Sequence, residues 1–198
     1  MTNLNSEGEG SLTDAVSRQG RLIVFDVGGV IDLPSTLRIE NDNITILGQT
    51  APGDGITITG GDVQIADGVS NVIIRYLRIR PTNKNGQEVD GIGGKSNTDI
   101  IIDHCSTSWC VDEALTLYAG DQEKGEAGHR LTVQNTITSE SMRMSGHFKG
   151  AHGYGGIIGG TNATTTATVR ASRQPLADDS TGRVQKRPNF RKQYTSTN

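Results

Sequence analysis

This sequence predicts an all-β chain wound as a parallel β-helix, on three observations. Short segments rich in β-branched residues recur in a near-constant register: Asn43-Ile44-Thr45-Ile46, Asn71-Val72-Ile73-Ile74, Asp99-Ile100-Ile101-Ile102 and Arg130-Leu131-Thr132-Val133 begin their aliphatic runs at positions 44, 72, 100 and 131, in steps of 28, 28 and 31. A helical apolar period is missing from every window between positions 40 and 140, so helices do not separate the strands. The 26 glycines and the 4% aromatic content suit tight corners around an aliphatic, aromatic-poor core. A β-sandwich is the competing architecture, but its hairpin signals recur roughly every 8 to 12 residues and do not give this longer register.

In chain order, Ser11-Leu12-Thr13-Asp14-Ala15-Val16 is the one helix candidate, with Ser11 as N-cap and Asp14 three positions on as a short-armed capping box. It is expected ahead of the first coil. Leu22-Ile23-Val24-Phe25-Asp26-Val27 and Gly55-Ile56-Thr57-Ile58 are expected to supply first-coil strands. Each later rung is followed by a second short strand, such as Tyr76-Leu77-Arg78-Ile79 or Asn135-Thr136-Ile137-Thr138. Residues 1–163 therefore read as a partial β-helix.

Residues 164–198 read differently. From 161 onward the chain holds 7 Lys+Arg against 2 Asp+Glu, no isoleucine, and only Val169, Leu176 and Val184 as branched aliphatics. The expectation is a basic, disordered tail.

Several classes are disfavoured. No apolar run approaches the length of a membrane-spanning helix, and Met1-Thr2-Asn3-Leu4-Asn5 has neither the basic nor the apolar region of a signal peptide; neither a membrane span nor a leader is expected in the chain as written. A net charge of −3 supplies no uniform basic field for nucleic acid. Cys105 and Cys110, five apart on one strand and turn, are expected to be reduced.

Four motifs are more specific. Gly48-Gln49-Thr50-Ala51-Pro52-Gly53-Asp54-Gly55, Ile101-Ile102-Asp103-His104-Cys105-Ser106, Ser108-Trp109 with Asp112-Glu113, and Lys149-Gly150-Ala151-His152-Gly153-Tyr154-Gly155-Gly156 together resemble, in order and spacing, the pectate lyase family of polysaccharide lyases. The resemblance covers about residues 2 to 164. It implies a right-handed, single-stranded parallel β-helix and calcium-dependent β-elimination on 1,4-linked polygalacturonate or pectin. It also implies secretion for the parent family, with acidic polysaccharide as the partner and a monomeric state.

Elimination beside a uronate carboxylate requires that carboxylate to be neutralised and the developing enolate-like charge to be stabilised, which calls for hard oxygen ligands and cations. Glu88, Asp90 and Asp112 are the acids in the right places for calcium, and Glu88 and Asp90, two apart, would share a face of a strand. The family's second acidic pair reads here as Asp112 and Thr116, so one carboxylate is missing. Lys149 matches the substrate-binding lysine, with His152 in the same glycine-dense loop as a further sugar contact. Asp103 and His104 are expected to pin the neighbouring coil rather than to act as acid and base, and Trp109 to pack between coils.

The family's base arginine, within a histidine-aspartate-serine-arginine-x-proline segment, is not found in this chain, so the catalytic residue is unassigned. The codons of Ser172 to Ala177 can be chosen so that, read one nucleotide later, they give histidine-aspartate-serine-arginine-tryptophan-proline. A frameshift from about residue 164 is therefore expected, together with very weak activity. The competing readings are a genuine basic tail and a non-catalytic β-helix that binds acidic polysaccharide. Sequencing the gene around codon 164 checks the first point: an open alternative frame encoding that motif is the expected result.

Overall fold

The computed structural model describes residues 1–84, 86–121, 128–161, 166–171, 184–185 and 191–192. Every strand pair among them is parallel, and the strands fall into three columns that follow one another around each coil. The first column stacks β1 (Leu22–Ile23), β4 (Ile44–Leu47), β7 (Ser70–Arg75), β10 (Thr98–Asp103) and β13 (His129–Ser139). The second stacks β2 (Gly29–Asp32), β5 (Ile56–Thr59), β8 (Leu77–Arg80) and β11 (Ser106–Ser108), and ends on the distal half of the long β13, which joins the first two columns. The third stacks β3 (Leu37–Ile39), β6 (Val63–Ile65), β9 (Ile92–Lys95), β12 (Leu115–Asp121) and β14 (Gly156–Thr161). This is a parallel β-helix, and the wholly parallel pairing leaves no room for the sandwich.

The interior follows from strand alternation. Ile44 pairs with Val72, Val72 with Ile100 and Ile100 with Leu131, as the register predicts, and all four are buried to within 2%. Ile46, Ile74, Ile102 and Val133 form the adjoining interior column. Alternate residues point outward, as the twofold strand period requires. The corner before each rung is a left-handed residue, Asn43, Asn71, Asp99 and Arg130, with φ between 54° and 61°. Asn and Asp tolerate that region better than most side chains. These corners also bond from coil to coil: Asn71 donates to Asn43 at 2.7 Å and Arg130 to Asp99 at 2.6 Å.

Helix α1 (Leu12–Val16) covers the first coil, burying Leu12 and Val16. Ser11 Oγ accepts from the Asp14 N–H at 3.1 Å, while the Asp14 carboxylate accepts from Gly10 rather than from Ser11, so the box closes one position early. One strand assignment needs correction. Gly55–Ile58 belongs to the second coil, because Ile56–Thr59 pairs with Gly29–Asp32 beneath it; Gly29–Asp32 is the second strand of the first coil. Within 164–198, β15 (Thr166–Ala171) pairs with β13, β16 (Val184–Gln185) with β14 and β17 (Arg191–Lys192) with β15. Apart from these strands, the basic segment, including Ser172 to Ala177, lies outside the described residues.

Cys105 and Cys110 are both buried free thiols, and burial pushes Cys105 up to about 11, as suits an inert core residue. Ile100→Ala should destabilise the fold by about 2–5 kcal/mol through the cavity left in the central column. In urea unfolding, Arg130→Ala at the exposed corner should leave the midpoint close to that of the unaltered chain.

Candidate active site

Three loops enter the third column at successive coils and carry most of the residues singled out in the sequence. They precede β9, β12 and β14 and are stitched together by backbone bonds: Gly91 N–H to Glu113 O at 3.0 Å, Ala114 N–H to Tyr154 O at 2.9 Å and Tyr154 N–H to Asp112 O at 3.0 Å. Coil stacking therefore brings residues 88–90, 112–113 and 147–152 to one place. The stretch with Glu88 and Asp90 is not a strand, and the two carboxylates face different neighbours.

Asp90, Asp112 and Glu113 present carboxylate oxygens all within 4.8 Å of one another. Asp90 Oδ1 accepts the Glu113 N–H at 3.1 Å, and its Oδ2 faces the Gln64 amide at 3.4 Å. Gln64 in turn donates to Asp62 at 2.7 Å. Its side chain lies across Gly93, where an added Cβ would stand 2.2 Å from Gln64 Oε1 and push that amide aside. Burial, reinforced by the Asp112 and Asp62 charges, pushes Asp90 from 3.8 up to about 7. Burial, with Asp90 and Asp112 beside it, likewise raises Glu113, and the Lys149 ammonium offsets part of that.

Sequence reasoning missed Glu113 as a site residue, although its carboxylate joins Asp90 and Asp112 where position 116 offers only a threonine. The signal was the Asp112-Glu113 dipeptide: a tight loop, not a strand, lets neighbouring side chains converge. The Thr116 hydroxyl is buried and lacks a hydrogen-bond partner, as does Asp112 Oδ1, which lies 2.7 Å from His152 Nε2 without the alignment of a hydrogen bond.

On the other side of Asp112 lie the imidazoles. His147 is buried, stacks on His152 at 4.1 Å, and holds Nε2 3.5 Å from Glu88 Oε2 and 3.6 Å from Asp112 Oδ2. Glu88 thus sits across His147 from the three-carboxylate group. Lys149 is exposed, its ammonium 5.2 Å from the Phe148 ring centre. An adjoining groove of about 440 Å³ runs along the outer face of the third column, lined by Gln64, Asp90, Lys95, Thr116 and Tyr118.

Asp103 and His104 stand apart from this cluster, at the turn between β10 and β11. The buried Asp103 carboxylate takes His104 Nδ1 at 2.6 Å, Arg75 Nε at 2.8 Å and Asn135 Nδ2 at 3.1 Å, which spans three coils. Burial alone would raise it, but these bonds outweigh that and hold it below its ordinary value. His104 stacks on Tyr76 at 4.5 Å. Trp109 corrects the packing expectation: it is 46% exposed on the outside of the coils, where Nε1 donates to Glu140 at 3.1 Å.

Fold and site together define a β-helical protein with a cluster of anionic and imidazole side chains beside an open groove on one sheet. Among the known proteins to which it is similar are pectate lyases. The chain is 37% identical over 158 residues to a probable pectate lyase C of Aspergillus flavus, covering 80% of this chain and 34% of that protein. It is 39% identical over 158 residues to the probable pectate lyase C of Aspergillus terreus, with the same coverage. A probable pectate lyase B of Aspergillus flavus is 33% identical over 136 residues, 68% of this chain and 39% of the relative. No family model matches the chain. The resemblance to the pectate lyase family carried by the motifs is thus shown by homology, and the chain spans about a third of the length of the pectate lyase C relatives it matches.

Because Asp90 takes up its proton more readily folded than unfolded, its contribution to stability is fully present below its unfolded value of 3.8 and is lost as pH rises through about 7. In chelator, the melting temperature should fall between pH 5 and pH 8, and Asp90→Asn should flatten that fall.

Proposed function

We propose that this chain is part of a secreted pectate lyase of pectin catabolism, acting on 1,4-linked polygalacturonate by calcium-dependent β-elimination. The observation that carries this reading is the convergence of Asp90, Asp112 and Glu113 within 4.8 Å beside Lys149, on a β-helix whose relatives are named pectate lyases. The residues fit calcium: three hard carboxylate donors crowd one another, and burial with mutual repulsion raises Asp90 and Glu113 in the way that a bound dication would reverse. Calcium held by these carboxylates supplies positive charge beside the uronate carboxylate.

The chain's own side chains do the rest of the binding. Lys149, exposed next to Glu113, pairs its ammonium with a uronate carboxylate of the polymer lying in the groove. His152, between Asp112 and Tyr154, contacts the sugar from the same loop. Backbone stitching among the three loops holds these groups in fixed relation, which a charge-matching site requires. Proton abstraction needs a base that no described side chain is assigned here. That observation favours, as a second reading, a β-helix that binds acidic polysaccharide without cleaving it.

Calcium should raise the melting temperature of the full chain, and Asp112→Asn should remove the rise; scanning calorimetry with and without chelator decides it. Lys149→Ala should weaken polygalacturonate binding roughly 10-fold or more, as expected for loss of a charge-assisted contact. Ultraviolet absorbance of the unsaturated product separates the two readings: slow growth supports the lyase, and binding with no growth at all supports the binding module.

A further inference from the structure

The loop that carries Lys149 also presents an aromatic ring to solvent: Phe148 is 76% exposed. It is nonetheless held in place. Its backbone N–H donates to Glu88 Oε1 at 2.6 Å, and the next N–H, that of Lys149, donates to His147 Nδ1 at 3.0 Å. Its ring stacks on the buried His147 with centres 4.9 Å apart, His147 stacks on His152 at 4.1 Å, and His152 meets the Tyr154 ring edge-on at 4.8 Å. Phe148 is therefore the outer end of a run of packed rings, fixed before any ligand arrives. A single apolar side chain scattered on a surface needs no explanation. An ordered ring that ends such a run, next in sequence to a cation of the carbohydrate site, has the composition of a ligand subsite, an apolar surface with one placed polar group.

We propose that Phe148 is a sugar-stacking residue and that, with Lys149, it forms a subsite for one galacturonate unit of the polymer, beside the unit that reacts; this rests on the pectate reading above. In the galacto configuration the hydrogens on C3, C4 and C5 line one face of the sugar, which makes that face apolar, and the carboxylate projects from C5 at its edge. The electron-rich face of an aromatic ring suits such C–H bonds. Lys149 stands where the carboxylate would be, its ammonium 5.2 Å from the Phe148 ring centre. A cation over an exposed ring is weakly held, so the ammonium can leave the ring for the incoming carboxylate while the sugar face takes its place. A neutral sugar covers the ring but gives the lysine no partner, and a small carboxylate pairs with the lysine but leaves the ring bare. The pair therefore selects a uronate. Stacking also covers the C5 hydrogen that β-elimination must remove, so the unit on Phe148 is a neighbour of the reacting one, and Phe148 positions the polymer without taking part in proton transfer.

The test is calorimetric titration of the full chain with tetragalacturonate in the presence of calcium, alongside proton NMR of the sugar. Phe148→Leu, which keeps an apolar side chain but removes the ring, should weaken binding about 10-fold, and Phe148→Tyr should bind as the unaltered chain does. Both variants should keep its melting temperature, because the ring is exposed. The C3 and C5 hydrogens of a bound sugar unit should shift upfield with the unaltered chain and with Phe148→Tyr, and not with Phe148→Leu. Undiminished affinity in Phe148→Leu, or a bound sugar without that ring-current shift in the unaltered chain, overturns the subsite and leaves the pectate reading standing. Loss of self-association in Phe148→Leu with sugar affinity unchanged also overturns it, and assigns the ring to a contact between copies of the chain. An unaltered, folded chain that binds no tetragalacturonate overturns the pectate reading and the subsite together.

Discussion

Aliphatic side chains stacked on their equivalents one coil away are the interaction on which the rest of this structure depends. Ile44, Val72, Ile100 and Leu131 occupy one column because each coil returns the chain to the same place. Burying such side chains is worth about 1.5–3 kcal/mol each, and a register slip by a single position would turn every one of them outward. The register is therefore fixed, and with it the relative placement of every loop leaving the coils. Residues far apart in sequence, such as Glu88 and Phe148, meet at the third column because its strands are held in register by that core.

Such a scaffold can hold what the site would not hold by itself. Asp90, Asp112 and Glu113 repel one another, and partial burial sharpens the repulsion. Flexible loops would let the charges separate. Here the bonds from Gly91 to Glu113, Ala114 to Tyr154 and Tyr154 to Asp112 prevent it, so relief has to come from protonation, from Lys149 or from a cation. Asp103 shows the opposite outcome with the same residue type: bonds from His104, Arg75 and Asn135 keep its carboxylate below its ordinary value although it is buried. The first arrangement stores unbalanced charge at a groove, and the second uses balanced charge to tie coils together.

The fold was legible because a long, near-constant period with β-branched rungs has few other structural solutions. Even the helix cap at Ser11 was readable, although the Asp14 carboxylate turns to Gly10. Strand membership was less so: Gly55–Ile58 carries the same alternation in any coil, and only pairing with Gly29–Asp32 assigns it to the second. The site was half legible. Asp90 and Asp112 emerge from the family resemblance, and His147 and His152 read as neighbours in one glycine-dense loop, but the joining of Glu113 to the acids does not, because it depends on a loop conformation that no periodicity encodes. Trp109 misled for a related reason: a large apolar ring reads as core, yet its left-handed backbone, φ 61°, turns it onto the outer surface.

Glu113 brings a third carboxylate to Asp90 and Asp112, and the proposed calcium reading depends on that convergence. Calorimetric titration of calcium into the full chain, compared with Glu113→Gln and with Asp99→Asn at a distant corner, measures this. Binding weakened at least about 10-fold by Glu113→Gln and unchanged by Asp99→Asn is the predicted result. Equal calcium affinity in all three proteins would contradict it.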